Sequence, residues 1–272
     1  MNKEQITNIA TKFVQTTQLN YISKEFALRS DLVGMKIYED PILNIGSAQD
    51  PFFNYLKSPQ GIHENFMLPT EWLPDAKSII SIFTPFTLRI KEANAKDLTK
   101  PADEWLMARI EGQIVQKALM DHLVEEIKKE GYNVIAPTND SRFKVYDHTK
   151  SNWSERHAAY VCGLGTFSLS KGLITKKGIA GRLSSIITNL ELPVDERPYS
   201  GLYDYCINCG KCAINCPADA IDKNKDMAEA KSHIPCMKFV NATQMFNTGR
   251  SRYGCGKCQV AVPCRDRIPK KI

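Results

Sequence analysis

Cys206-Ile-Asn-Cys209-Gly-Lys-Cys212-Ala-Ile-Asn-Cys216-Pro217 is the stretch on which the reading of this chain turns. Its spacing is C-x₂-C-x₂-C-x₃-C-P, the pattern that holds [4Fe–4S] clusters. Three thiolates within seven residues can cup three iron corners of one cubane. Gly210 lets the backbone come close to the inorganic sulfides, where amide N–H groups can donate. Pro217 turns the chain away after the fourth cysteine, which in two-cluster proteins serves the other cluster.

A looser set follows: Cys236, then Cys255-Gly-Lys-Cys258-Gln-Val-Ala-Val-Pro263-Cys264. A regular repeat would put its last cysteine at 262, ahead of the proline. Val262 stands there, and the cysteine comes after Pro263. The count closes if ligands cross over. Cluster one then takes Cys206, Cys209, Cys212 and Cys264; cluster two takes Cys216, Cys236, Cys255 and Cys258. Cys162 is left over and reads as a small buried hydrophobe. Zinc is the competing metal, but thiolates at two-residue gaps crowd a single tetrahedral ion, and no nearby His helps.

The rest of the composition fits a globular carrier of such centres. The 272 residues are 43% hydrophobic and 24% charged, which predicts packed cores rather than disorder. The length allows one large domain and a small one, read as 1–198 and 199–272. There is no run of about 18 apolar residues, so no membrane span is expected. Met1-Asn2-Lys3-Glu4-Gln5 shows no export signal. The expected address is the cytoplasm, where nine cysteines read as ligands or redox groups rather than disulfides. The net charge is +6, and all of it falls within residues 199–272, which hold 12 Lys/Arg and 6 Asp/Glu. A nucleic-acid patch is one reading. Compensation of two anionic clusters is the simpler one.

Upstream, hydrophobic periodicity predicts mixed α and β structure. Residues 3–17 read as a helix. Residues 102–130 form the clearest one, with Leu106, Ile110, Ile114, Ala118, Leu119, Leu123 and Ile127 on one face. Residues 77–84, 132–137 and 182–190 read as strands. A helix is expected from Asn152, with Glu155 in its capping-box position, to near Gly163. Residues 31–70 read as irregular, and 191–201 as a linker.

Ser151-Asn-Trp-Ser-Glu155-Arg156-His-Ala-Ala-Tyr, Gly163-Leu-Gly165-Thr, Gly172-Leu-Ile-Thr175, Ser184-Ser-Ile-Ile-Thr188 and then the cysteine run resemble the epoxyqueuosine reductases. The likeness is greatest to their short relatives, with reductive dehalogenases as more distant kin. It implies a nitroreductase-like α/β (α+β) corrinoid-binding domain followed by a ferredoxin-like module with two [4Fe–4S] clusters. In that family the clusters feed electrons one at a time to the cobalt of a corrinoid, and a protein acid supplies a proton. Cobalamin is thus the implied second cofactor. An external donor such as ferredoxin or flavodoxin is the implied partner.

Departures from the pattern bear on the substrate. The position of the family's catalytic Asp, six residues before Glu155-Arg156, is Thr149 here. The chain also ends at Ile272, without the helical-repeat extension of the larger members. Both weaken the case for tRNA and leave a small-molecule or unknown substrate in front. Tyr146, Asp147 and His148, just before the predicted helix, are the candidate catalytic residues. Gly163, Gly165 and Thr166 are the candidates for cofactor contact. Glu155 and Arg156 read as structural, a cap and a buried ion pair. The expectation is a cobalamin-dependent iron–sulfur reductase. The alternatives are an electron-transfer protein without a corrinoid, or an epoxyqueuosine reductase acting on tRNA.

Overall fold

The computed structural model describes residues 1–146 and 150–270. Its centre is a four-stranded antiparallel sheet in the order β1-β2-β8-β3. β1 is Ile42–Ser47, β2 Ser78–Pro85, β3 Val134–Ile135 and β8 Gly181–Thr188. Every residue of β2 is buried, as befits an inner strand covered on both faces. Alternation then sorts its side chains. Ile80 and Ile82 join one core, Ile79 and Phe83 the other.

The first core is closed by α1 (Lys3–Thr16) and the long α5 (Asp103–Lys129), with α4 (Leu88–Lys96) beside it. α1 starts with a full capping box, Asn2 accepting from the Gln5 backbone and Gln5 reaching back. α5 runs over the predicted span, and Leu106, Leu119, Leu123 and Ile127 of the predicted face are buried, but its buried face is wider than predicted. Ala108, Gly112, Val115 and Leu119 point inward, while Ile114 is exposed. Gly112 is needed there, because a Cβ would lie 2.5 Å from the Tyr38 hydroxyl.

The second core lies on the opposite face and is aromatic. Trp72, Trp153, Phe53 and Phe66 pack together, Trp153 stacking on both phenylalanines with ring centroids 5.7 Å apart. The short helices α2 (Phe52–Leu56) and α3 (Pro69–Trp72) bring in two of these rings, Phe53 and Trp72. Residues 31–70 are therefore not irregular throughout, since they supply β1 as well as these helices. Asn44 and Gly46 interrupt the apolar run of β1 and hide it from a pattern search, yet its pairing with β2 is complete from Ile42 to Ser47.

α6 is Glu155–Val161, shorter than predicted. Asn152 does not cap it. Its side chain accepts from the Lys144 N–H and donates to the Arg142 carbonyl, which fixes the preceding loop instead. The helix stops where expected: Gly163 takes φ +77° and donates to the Tyr160 carbonyl. The segment 191–201 is tied down rather than loose. Asp195 pairs with Lys3 at 2.7 Å, donates its backbone N–H to the Ile45 carbonyl and accepts from the Ile45 N–H on its carboxylate.

Smaller elements complete the chain: hairpins β4 (Val145–Tyr146) with β5 (Lys150–Ser151), β6 (Gly165–Phe167) with β7 (Leu173–Thr175), and β9 (Met245–Asn247) with β10 (Arg250–Arg252). α7 is Lys211–Ile214 and α8 is His233–Ala242. A third, smaller core gathers Leu169, Ile174 and Ile179 with Cys212, Ile221 and Val262. It joins the cysteine-rich segment to the strands ahead of it. No helix among the described residues is long and apolar enough to cross a membrane.

Candidate functional site

The cysteine-rich segment is held against the sheet domain by specific contacts. The Ile179 N–H donates to the Cys264 carbonyl at 3.0 Å. Asn94 donates to the Cys255 carbonyl at 2.9 Å, and Lys91 pairs with Asp266. Gly256 takes φ +70° and leaves no room for a side chain, since a Cβ would lie 2.0 Å from the Trp105 ring. Arg252 is fully buried and pairs with Glu111 of α5.

These contacts bring the thiols of the chain's end into two neighbourhoods. Cys206, Cys209, Cys212 and Cys264 line one small hollow of about 20 Å³, whose outer wall at Asn208 and Cys209 faces solvent. Cys216, Cys236, Cys255 and Cys258 line a second, of about 180 Å³. Burial pushes the Cys212 and Cys264 thiols up to about 12, and the neighbouring cysteines push the same way. Cys255 is driven up to about 11 by burial, with Cys258 and Cys236 beside it. Buried thiols packed this way resist becoming thiolates together until a cation joins them. Among the described residues, no three His, Cys, Asp or Glu side chains close tightly enough on one point to hold a single metal ion. The thiols ring hollows instead. Cys258 borders both sets, and Lys257, fully buried beside it, is pushed down to about 8 by burial.

A third hollow is much larger. A cleft of about 740 Å³ opens between β8, α5 and the cysteine-rich segment, and Cys258 is among its lining residues. Six cations line it: Arg109, Lys117, Arg156, Lys171, Arg182 and Lys231. Glu155 is the sole carboxylate among its described lining residues. Gln116 Nε2, Arg182 Nε and Gln259 Oε1 belong to lining residues, are buried, and have no hydrogen-bond partner among the described residues. Unpaired buried polar atoms are costly, at about 1–3 kcal/mol each.

The candidates from the sequence fare unevenly. Asp147 and His148 lie outside the described residues. Tyr146 stacks on His63 with ring centroids 5.1 Å apart. Gly163 and Gly165 do allow close approach, but of the chain's own backbone. A Cβ would meet the Glu196 carbonyl oxygen at 2.7 Å and that of Ile174 at 2.0 Å. Thr166 is fully buried and accepts from the Tyr205 N–H. Cys162 is a core side chain, its sulfur 3.6 Å from the Ile79 carbonyl oxygen.

The expected ion pair of Glu155 with Arg156 is not formed. Arg156 donates to the Lys171 carbonyl at 2.6 Å, and Glu155 accepts from Ser185 and Thr138. Adjacent residues on a helix point about 100° apart, so the two side chains diverge. Glu155 is therefore the cleft residue that its helix-start position disguised in the sequence.

The 4Fe–4S binding domain family matches residues 202–222. Tetrachloroethene reductive dehalogenases of Desulfitobacterium hafniense and Dehalobacter restrictus are 41% identical over 101 residues, 37% of this chain and 16% of theirs. The chain thus matches only a small part of these curated relatives. Among solved structures, a catabolic reductive dehalogenase variant overlays with a TM-score of 0.57 at 17% identity, covering 84% of this chain and 30% of that one. An epoxyqueuosine reductase with a modified tRNA-Tyr stem loop gives 0.56 at 18%, covering 99% and 69%. The epoxyqueuosine reductase from Bacillus subtilis gives 0.53 at 19%, covering 85% and 65%. The chain is similar in fold to the epoxyqueuosine reductases and reductive dehalogenases and carries a 4Fe–4S binding segment of its own.

Proposed function

We propose that this protein is a cobalamin-dependent reductase. In this reading the eight cysteines would hold two [4Fe–4S] clusters, which would supply single electrons from an external donor such as ferredoxin or flavodoxin to the cleft. The single observation that carries the reading is Cys258, which lines the thiol hollows and the cleft at once. A cluster held by Cys258 would stand next to whatever the cleft holds, so electrons need no mobile carrier for the last step.

The residues present fit both groups. The first cluster would be held by Cys206, Cys209, Cys212 and Cys264, the second by Cys216, Cys236, Cys255 and Cys258. Rings of thiols around hollows suit cubanes better than a tetrahedral zinc, whose four sulfurs must all lie about 2.3 Å from one ion. The tight first hollow can widen at its solvent-facing loop. For the corrinoid, the unpaired Gln116, Arg182 and Gln259 atoms match an amide-rich macrocycle that both donates and accepts. When bound, a corrinoid would supply strongly reducing two-electron chemistry. This chain's own residues would orient the substrate through the cations of the cleft and exclude water with Phe83, Phe143 and Leu173. The division into a nitroreductase-like domain (1–198) and a ferredoxin-like module (199–272), in the cytoplasm, completes the reading.

The cleft also weighs against a plain electron carrier, which has no use for one. The test is anaerobic reconstitution with iron, sulfide and cobalamin. The expected product holds about eight irons per chain and retains corrinoid through gel filtration. Full iron loading without corrinoid would remove the corrinoid and leave the electron-transfer reading.

A further inference from the structure

Glu155 stands in the first turn of α6 and lines the cleft. Its Oε2 accepts from Ser185 at 2.6 Å, and its Oε1 accepts from Thr138 at 3.2 Å. The Trp153 indole N–H donates to the same Ser185 oxygen at 3.0 Å. An indole can only donate, so it occupies a lone pair of Ser185 and leaves the serine hydrogen for Glu155. Both partners of the carboxyl are therefore neutral hydroxyls.

Charged groups surround the cleft, but none among the described residues pairs with Glu155. On its own helix, Arg156 is turned to the Lys171 carbonyl. His157 bonds Ser154 and is pushed down to about 3 by burial and by Arg156, so it carries no charge near neutrality. Arg182 on β8 approaches the Arg109 carbonyl. Arg109 of α5 stacks over Tyr253, and Lys171 bonds the Tyr203 hydroxyl. Lys231 donates to the Ser170 carbonyl, and Lys117, also of α5, forms no ion pair among the described residues. Glu155 itself enters no ion pair among the described residues. Burial drives its carboxyl up to about 8, against the Ser185 and Thr138 hydroxyls and the Trp153 indole, which all pull the other way.

We propose that Glu155 is the proton donor of the cleft, a neutral carboxylic acid that hands its hydrogen to an atom gaining negative charge there. Its use in catalysis rests on the reductase reading; its protonated state does not. In a reduction, S + 2 e⁻ + Glu–COOH → SH⁻ + Glu–COO⁻. The electrons come from the external low-potential donor through the iron–sulfur module. The Glu155 O–H bond breaks, a bond from that hydrogen to the substrate forms, and the electron pair stays on the carboxylate. Solvent entering the cleft returns the proton afterwards.

Difference infrared spectroscopy of the reconstituted protein tests this. The expected result is a carbonyl-stretch band of a protonated carboxyl at pH 7, absent in Glu155→Gln and fading as pH rises through about 8. In D₂O that band should shift within minutes, because its hydrogen faces the open cleft. Glu155→Asp, which keeps a carboxyl, should retain a displaced band and controls for misfolding of the Gln variant. A protein lacking the band at pH 7, a band that survives in Glu155→Gln, or a hydrogen that exchanges only on unfolding would each overturn the proposal. Loss of the reductase reading would look different: cobalamin would fail to bind the wild-type protein while the infrared band persisted.

Discussion

The Lys257 ammonium sits 2.7 Å from the Asn94 side-chain oxygen and 2.8 Å from the Asn94 carbonyl oxygen. Lys257 lies between Cys255 and Cys258 and is fully buried, so one asparagine of α4 holds the second thiol loop by its charge. Asn94 also donates to the Cys255 carbonyl and accepts from the Ala102 N–H. Asn94→Leu removes all three side-chain contacts and leaves the buried Lys257 cation with the main-chain carbonyl of residue 94 alone, which should cost about 2–4 kcal/mol. Iron bound at the second set should fall before iron at the first. Thermal unfolding and iron analysis of the reconstituted variant check this; a full iron complement would show that Asn94 does not hold the loop.

The crossed ligand sets predict which iron each cysteine commands. Cys264→Ser should remove the first cluster and Cys216→Ser the second, each lowering bound iron by about four per chain. Electron paramagnetic resonance of the reduced variants should show one cluster signal lost and the interaction between clusters gone. If Cys264→Ser keeps both signals, the cysteine after Pro263 is no ligand.

Two neighbouring groups on α6 give opposite pH dependences. Glu155 titrates near 8 in the folded chain and near 4.5 when unfolded. Between those values the folded state binds more protons, so this group's contribution to stability falls as pH rises from about 4.5 to about 8. His157 titrates near 3 when folded and near 6.5 when unfolded. Its contribution is present above about 6.5 and is lost as pH falls toward 3. The melting temperature of Glu155→Gln relative to wild type should therefore climb from pH 5 to pH 8. That of His157→Gln should climb as pH drops from 7 to 5. Parallel pH curves for either variant and wild type would refute the corresponding assignment.

Arg252 and Glu111 form a buried pair joining β10 to α5, with Arg250 also 3.5 Å from Glu111. Arg252→Met leaves the Glu111 carboxylate with the weaker partner and should destabilise by about 3 kcal/mol. Adding Glu111→Gln should recover much of that loss. Chemical denaturation of the single and double variants measures it, and additive losses would mean the pair is not coupled.

Much of this was legible in the residues, for identifiable reasons. A cysteine run binds by short-range spacing, so the two thiol sets could be written down before any fold was known. α1, α5, β2 and β8 announce themselves because their apolar runs are long. β1 does not, because Asn44 and Gly46 break its pattern while its pairing with β2 holds it in place. The full width of the buried face of α5 escaped because Gly112 and Ala108 carry little hydrophobic signal yet are buried against their neighbours. The cleft was illegible altogether. Arg109, Glu155, Arg182 and Lys231 come from four separate parts of the chain, and only the antiparallel sheet and the returning cysteine segment gather them. Glu155 in particular looked like a helix cap, since nothing local tells a capping carboxylate from one aimed at a cavity.

Cys258 is the residue that all three hollows share. On the proposed reading, that one sulfur would stand where storage, transfer and use of electrons meet, and the protein would behave like a circuit with one fuse. Alkylation or oxidation of that atom would then part supply from demand in one event.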